Sequence, residues 1–147
     1  MKKIVFIGAG NLATNLSKEM KRRGFEIIQV FSRTEEAARE LGVHLSCPFT
    51  TSLAEVTREA DMYVFSVKDA VLENVLQQMP ATTGIWVHTA GSIPMDIFSS
   101  YTPRYGVFYP LQTFSKTRDT DFSVIPFFIE ANNQTDRDKL INAAGQL

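Results

Sequence analysis

A short apolar strand, followed at once by a glycine-rich turn and a helix, is the feature that most constrains this chain. Residues 4–7 (IVFI) contain no polar side chain, as expected of a strand that is buried on both faces of a parallel sheet. Residues 8–13 read Gly-Ala-Gly-Asn-Leu-Ala, and apolar residues then recur at Leu12, Leu16 and Met20. This spacing predicts a helix, and the three segments together predict the first unit of a β-α-β fold.

Strands and helices alternate through most of the remaining chain. The predicted strands are residues 4–7, 25–31, 43–45, 62–67, 85–88, 106–109 and 125–130. The predicted helices begin near residues 11, 34, 52, 69, 94 and 135, the second of them ending at Gly42, and residues 110–124 are predicted to be irregular. This alternation predicts a doubly wound, mostly parallel sheet with helices on both faces.

Composition narrows the class of protein further. The chain has 147 residues, enough for one domain, and 44% of them are hydrophobic, enough for a core. The net charge of −1 gives no bias toward nucleic acid. One cysteine and two histidines exclude a disulfide-stapled fold and argue against a metal site. The N-terminal apolar run stops at Gly8, too early for a signal peptide, and no stretch approaches a membrane span, which predicts a cytoplasmic protein.

The glycine-rich turn has the spacing of a phosphate-binding loop. Gly8 permits a tight turn, Gly10 has no side chain to block a pyrophosphate, and the small Ala13 lets the helix lie close to the strand. The free N–H groups near Asn11 and Leu12 then face the phosphates, and the helix dipole favours their negative charge. The pattern predicts a dinucleotide site, the alternative being a glycine turn without a ligand.

The residues after the second strand indicate which dinucleotide is bound. Enzymes that use NAD usually place Asp or Glu there, on the ribose hydroxyls. This chain has Ser32, Arg33 and Thr34 instead. A guanidinium can pair with a 2′-phosphate or stack on adenine, whereas a carboxylate would repel the phosphate. We therefore predict NADP(H), with a solvated Arg33 beside a helix-capping Thr34 as the alternative.

The strands on the other side of the switch point predict the rest of the site. Backbone at Ser66, Val67 and Lys68 is expected to line the ribose and nicotinamide side, although Lys68 could equally be a solvated surface residue. Residues 88–92 (HTAGS) follow on the next strand. His88 at its end is a candidate proton donor, but a lone histidine there is more often structural.

The segment after the sixth strand faces the same edge of the sheet. Residues 109–114 (YPLQTF) offer hydroxyl and amide groups to a substrate, or form a loop in which Leu111 and Phe114 pack. The sequence contains no readable nucleophilic triad, so catalytic residues are not assigned, and the chemistry is expected to belong to the cofactor.

These motifs resemble a known family. Residues 8–13, 31–34 and 64–69 resemble the pyrroline-5-carboxylate reductase-like group, which includes the NADP-binding domain of coenzyme F420-dependent NADP oxidoreductases. Residues 88–92 and 107–114 are most similar to the branch of Rossmann-like proteins that carry a C-terminal DUF2520 domain. Relatives often have His where this chain has Tyr109, so no role is carried over to that position.

The resemblance implies a site and a domain organisation. The cofactor contacts that it implies are Gly8, Gly10, Asn11, Leu12, Ser32, Arg33, Thr34, Ser66, Val67, Lys68, Thr89 and Ala90. It also implies that residues 1–147 form an NAD(P)-binding Rossmann domain, and that a helical C-terminal domain, which builds a homodimer and closes the active site, is absent from this chain.

The predicted function is that of an NADP(H)-dependent oxidoreductase when full length. Hydride would move between the nicotinamide and a C=N or C=O carbon of a small metabolite. The alternative is a regulatory or sensor module that binds NADP(H) without turnover. A methyl-transfer or nucleotide-sugar enzyme is disfavoured by Arg33.

Overall fold

The residues that the structure describes are organised around one twisted sheet of seven strands. The computed structural model describes residues 1–118 and 120–147. The strands are β1 (Lys3–Ile7), β2 (Glu26–Phe31), β3 (Phe49–Thr50), β4 (Met62–Phe65), β5 (Ile85–His88), β6 (Tyr105–Pro110) and β7 (Phe127–Ala131). The helices are α1 (Asn11–Arg22), α2 (Glu35–Leu45), α3 (Asp69–Gln78) and α4 (Gln134–Gly145), and short 3-10 helices span Leu53–Glu55, Met95–Phe98 and Phe122–Val124.

The strand order is β3-β2-β1-β4-β5-β6-β7. All neighbouring strands run parallel except β6 and β7, which pair in antiparallel fashion. The order reverses direction between β1 and β4, and such a switch point opens a crevice at the carboxyl ends of the strands. The predicted Rossmann-type, doubly wound, mostly parallel fold is therefore confirmed.

The prediction of a third strand at residues 43–45, after a helix that ends at Gly42, is wrong. α2 continues through these residues to Leu45, which is buried in the same core as Leu41. Gly42 has a packing role: a Cβ there would lie 2.9 Å from Cδ1 of Phe49. The glycine thus lets the helix approach β3, which follows the helix and pairs with β2.

Helices cover the two faces of the sheet and create two apolar cores. One core lies under α1, α2 and α4 and includes Leu16, Met20 and Leu140. The other lies under α3 and the 3-10 helix at Met95–Phe98, and Trp86 packs there against the ring of Phe98. The predicted irregular segment 110–124 begins at Pro110, which is the last residue of β6. Its residues 111–118, 120 and 121 are irregular, and the 3-10 helix Phe122–Val124 ends it. Asp119 lies outside the described residues.

An ion pair ties α4 to the start of β6. The guanidinium of Arg104 donates from Nη2 to Oδ1 of Asp136 over 2.7 Å and from Nε to Oδ2 over 3.0 Å. Asp136 is 2% exposed, and Asn133 at the start of α4 donates to the same carboxylate.

Within the described ranges, no helix is long and apolar enough to cross a membrane.

Candidate functional site

Gly8 joins three strands at the switch point. Its N–H donates to the carbonyl of Phe31 at the end of β2 over 2.8 Å. Its φ of +120° is a conformation that favours glycine. A Cβ at Gly8 would lie only 2.1 Å from the carbonyl oxygen of Ser66, which follows β4. Gly8 is therefore required by the packing of the strand ends, independently of any ligand.

Gly10 has a different environment. It has an ordinary φ of −77° and precedes α1, and a Cβ built there would meet no atom within 4 Å. In the described part of the chain, no side chain caps the N-terminus of α1, and its first turn contains no acidic residue. The open space beside Gly10 and the free N–H groups of this turn suit a diphosphate.

Arg33 stands at the end of β2 with its side chain exposed. Among the described residues it forms no ion pair, whereas nearby Arg39 pairs with Glu35 one helical turn away. Thr34 precedes α2, and Ser32 is held by its N–H bond to the carbonyl of Thr50 in β3, over 3.2 Å. The structure thus presents one uncompensated guanidinium at the place where the sequence predicts a 2′-phosphate.

Residues 66–68 form the facing wall. Ser66 donates its N–H to the carbonyl of Ile7 over 2.8 Å, which fixes the loop beside β1. Val67 packs against the second core, while Lys68 is exposed and precedes α3. The prediction that the strand continues to Val67 is wrong, because β4 ends at Phe65 and frees these residues to line the crevice.

A cleft of about 230 Å³ brings most of the predicted site residues together. It is lined by Gly8, Ala9, Gly10, Phe31, Ser32, Arg33, Thr34, Ser66, Val67, Lys68 and Val71. Four predicted residues do not line it. Asn11 and Leu12 lie in the first turn of α1, and Thr89 and Ala90 follow β5, one strand beyond β4.

The cleft continues into a larger cavity of about 920 Å³ that sequence reasoning missed. Phe31, Arg33 and Val71 line both spaces. The larger cavity is also lined by Thr51, Ser52, Leu53, Ala54, Ala70, Asn74, Val75 and Gln78. Two signals in the sequence point to this cavity: the spacing of residues 70, 74 and 78 on a predicted helix, and a third strand at Phe49–Thr50, directly before Thr51.

His88 is buried at the end of β5, with 1% of its surface exposed. Its Nδ1 accepts the N–H of Ala90 over 3.1 Å, and its ring stacks on Phe98. Burial lowers the pKa of His88. These contacts favour the structural role over that of an exposed proton donor.

The segment after β6 is held by aromatic packing and by a hydrogen bond from α1. Phe114 is buried and stacks on Phe122, whereas Leu111 is 47% exposed, so only one of the two expected side chains packs. Asn15 of α1 donates to the carbonyls of Asn11 and Ser115, over 2.9 and 2.7 Å. The segment therefore reaches from the end of β6 to the start of α1.

In the described ranges, no group of three His, Cys, Asp or Glu side chains is arranged to hold a metal ion.

Comparison with known families identifies what this arrangement is similar to. The sequence model of a family described as NADP oxidoreductase, coenzyme F420-dependent, matches residues 3–87. This match runs from β1 to β5 and so includes the glycine-rich loop, Arg33 and the loop after β4. The description confirms the family predicted from the sequence motifs, and with it NADP(H) as the cofactor. The finer resemblance to proteins with a DUF2520 domain stays a prediction.

Solved structures share the fold over almost the whole chain. A provisionally named NADP oxidoreductase from Bacteroides fragilis is 50% identical, with a TM-score of 0.91, and the match covers 99% of this chain and 57% of that one. A 1-pyrroline-5-carboxylate reductase from Streptococcus pyogenes is 14% identical, with a TM-score of 0.76 and coverage of 98% and 55%. A pyrroline carboxylate reductase from Plasmodium falciparum, solved with NADP bound, is 13% identical, with a TM-score of 0.73 and coverage of 99% and 55%.

These solved relatives are considerably longer than this chain, which spans a little over half of each. The two reductases are so distant in sequence that they show the fold alone. No curated protein matches the chain.

Proposed function

We propose that this protein, which belongs to the family described as NADP oxidoreductase, coenzyme F420-dependent, provides the NADP(H) site of an oxidoreductase. The observation that carries the proposal is the cleft at the switch point. It combines an open phosphate loop and one exposed guanidinium, and none of the described residues that line it is a carboxylate. These features match the charge and shape of a dinucleotide with a 2′-phosphate.

Each wall of the cleft has a proposed role. The N–H groups at the start of α1, around Asn11 and Leu12, bind the pyrophosphate, and Gly10 leaves room for it to approach. Arg33 pairs with the 2′-phosphate, and the hydroxyls of Ser32 and Thr34 donate hydrogen bonds beside it. The adenosine half then extends toward the larger cavity that shares Arg33.

The nicotinamide half is proposed to lie on the side of β4 and β5. Backbone at Ser66, Val67 and Lys68 forms one wall, and the turn at Thr89 and Ala90 forms the next. When bound, the cofactor supplies or accepts a hydride at its nicotinamide ring. The residues of this chain orient that ring and exclude water from it, and the substrate is proposed to be a small metabolite with a C=N or C=O bond.

The longer relatives support a proposal about the whole protein. In it, residues 1–147 form the cofactor-binding domain, and a further helical domain closes the substrate side and forms a homodimer. Orientation of the reacting carbon requires both walls of such a site. We therefore expect efficient substrate turnover only from a protein that includes the second wall.

Calorimetric titration of the 147-residue chain with NADPH and NADH tests the cofactor site. We expect measurable binding of NADPH and at least tenfold weaker binding of NADH, because NADH lacks the phosphate that Arg33 faces. Equal affinity for the two dinucleotides would remove the assigned role of Arg33. No binding of either one would overturn the proposal.

Among the described residues that line the cleft, Lys68 is the one evident proton donor. A non-catalytic sensor is therefore the second candidate. Oxidation of NADPH by the full-length protein, measured with a panel of imines and keto acids, distinguishes the two candidates. Substrate-dependent oxidation identifies an enzyme. Tight NADPH binding without oxidation of the cofactor by any compound in the panel favours the sensor.

A further inference from the structure

The turn after β5 folds around the ring of a buried histidine. His88 is 1% exposed, and its ring lies on that of Phe98, with the centroids 5.7 Å apart and the planes at 28°. The N–H of Ala90, two residues further on, donates to Nδ1 of His88 over 3.1 Å. The side chain thus holds the backbone of the turn that immediately follows its own strand.

This hydrogen bond defines the protonation state of the ring. Because Nδ1 accepts a hydrogen bond from the N–H of Ala90, it carries no proton itself, and the neutral ring has its proton on Nε2. In the part of the chain that the structure describes, Nε2 forms no well-aligned hydrogen bond, although the backbone at Ile93 and Pro94 lies near the ring. A second proton on Nδ1 would place two N–H groups against each other, so the turn would have to open.

The other side of the turn is supported by β6 and α3. A Cβ at Gly91 would lie 2.8 Å from Cε2 of Tyr109, so the turn is packed directly on that ring. Ser92 donates from its hydroxyl to Asp69 at the start of α3, over 3.5 Å. The turn is therefore enclosed between His88, Tyr109 and α3.

Sheet register places this turn beside the candidate cofactor cleft. Ile7 pairs with Phe65, and Phe65 pairs with His88, so these residues stand at the same level of the sheet. The loops that follow them, at residues 8–10, 66–68 and 89–92, are therefore neighbours along one edge. With the adenosine half on the β2 side, the turn after β5 faces the nicotinamide half.

We propose that His88 is a positioning residue for the nicotinamide half of the cofactor: its neutral ring, through the bond from Ala90 to Nδ1, keeps residues 89–92 in the shape that forms the wall of the nicotinamide site. The inference rests on the proposed function and deepens it. His88 itself touches neither cofactor nor substrate, since it is buried beneath the turn.

Charges around the ring do not reverse its preference for the neutral form. Burial lowers the pKa of His88, while the backbone at Pro94 and Ile93 and the carboxylates of Asp69 on α3 and Glu130 on β7 oppose this effect. The residues that pair with His88 in the sheet are Phe65 on β4 and Val107 on β6, and its ring stacks on Phe98. None of these three side chains carries a charge.

The first experiment compares two nucleotides that differ only in the nicotinamide. Dissociation constants of the 147-residue chain are measured for NADP⁺ and for 2′-phospho-ADP-ribose between pH 5 and 8. Both ligands carry the same ionisable phosphates, so the ratio of their dissociation constants cancels phosphate titration. We expect this ratio to shift against NADP⁺ as the pH falls, by up to about tenfold per pH unit once His88 becomes protonated in the free chain.

Two variants separate hydrogen bonding from packing. His88→Phe keeps an aromatic ring against Phe98 but removes the acceptor, so NADP⁺ is expected to bind about five- to tenfold more weakly, with 2′-phospho-ADP-ribose unchanged. His88→Asn places an amide oxygen near the position of Nδ1, and we expect it to restore NADP⁺ affinity to within about twofold and to abolish the pH dependence.

Nuclear magnetic resonance gives a readout that needs no variant. The chain has only two histidines, and His44 is exposed on α2, where it acts as an internal reference. We expect NADP⁺, but not 2′-phospho-ADP-ribose, to lower the pKa of His88. If both nucleotides bind and the pKa of His88 responds to neither or equally to both, the inference is overturned while the cofactor site stands. If neither nucleotide binds, both proposals fail.

Discussion

The Cα of Gly8 lies so close to the carbonyl of Ser66 that a Cβ on Gly8 would come within 2.1 Å of its oxygen. The contact joins the first residue after β1 to the first residue after β4, at the point where the strand order reverses. Two glycines of one motif therefore have separable roles. Gly8 is needed for the close packing of the strand ends, whereas Gly10 leaves space open beside the N-terminus of α1.

The first prediction concerns folding. Gly8→Ala should lower the free energy of unfolding by about 2–5 kcal/mol, because a positive φ costs about 1–2 kcal/mol in a residue with a side chain and overpacking adds about 1–3 kcal/mol. Gly10→Ala should change it by less than about 1 kcal/mol, since open space surrounds that position. Urea denaturation of the two variants, followed by circular dichroism, measures the difference. Equal stability of both would contradict the packing role of Gly8.

The second prediction concerns ligand binding by the same loop. Gly10→Val should fold like the wild-type chain and lose detectable NADPH binding, because its two methyl groups occupy the approach to the N-terminus of α1. Calorimetry with NADPH measures the loss, and an unchanged denaturation curve shows that the fold is intact. Normal affinity in this variant would move the phosphate site elsewhere.

The sequence was sufficient for the parts of this site that depend on local pattern. The glycine spacing and the apolar strand before it locate the phosphate loop, and the alternation of elements gives the switch point between β1 and β4. The prediction for the chain after Gly42 is wrong, because a final helical turn and a short strand have the same apolar composition at Val43 and Leu45. The close contact of Gly42 with Phe49 that settles the matter is tertiary and invisible locally.

The misplaced third strand has a consequence for the site. A third strand at residues 43–45 does not predict that Thr51 and Ser52 follow a strand end, whereas β3 at Phe49–Thr50 places them at the ligand edge. The bond from Ala90 to His88 was also beyond sequence reasoning, because periodicity gives the face on which a side chain lies and not the direction of its ring nitrogens.

The third prediction concerns Arg33. Removing a charge-assisted contact costs about 1.5–3 kcal/mol, so Arg33→Ala should weaken NADPH binding by roughly ten- to a hundredfold and leave NADH binding nearly unchanged. Arg58→Ala is the matched control, because it removes the same charge from the segment before β4, at the opposite edge of the sheet. Calorimetry on both variants tests this. Similar losses in the two would indicate a general charge effect rather than a phosphate contact.

The fourth prediction concerns stability as a function of pH. The folded chain holds His88 with a lowered pKa, whereas the unfolded chain binds a proton near pH 6.5. Below that pH the unfolded state binds more protons, so the free energy of unfolding should fall as the pH decreases, by at most about 1.4 kcal/mol per pH unit from this group. Urea denaturation at pH 7.5 and 5.0 should show a smaller decrease for His88→Phe than for wild type. His44→Phe, at an exposed position, should decrease like wild type, and a His88→Phe chain that does so too would contradict the prediction.

The fifth prediction concerns the ion pair between Arg104 and Asp136. Asp136→Ala removes a buried carboxylate that accepts two bonds from Arg104 and one from Asn133. Breaking a buried pair costs about 3–5 kcal/mol, and we expect the low end of this range, because the side chain of Arg104 is 37% exposed and can still reach water. Asp138→Ala, at an exposed position on the same helix, should cost less than about 0.5 kcal/mol.

The folded chain favours the neutral form of His88 but the charged form of Asp136, so the two groups affect stability for different reasons. The guanidinium of Arg104 holds the pKa of Asp136 below its usual value of 3.8. The stabilisation is therefore complete at neutral pH and is lost only as the pH falls below 3.8 toward the lowered pKa of the folded state. The stability difference between wild type and Asp136→Ala, measured by urea denaturation, should thus be the same at pH 7 and pH 5 and should shrink at pH 3. A difference that already shrinks between pH 7 and pH 5 would assign the stabilisation to another group.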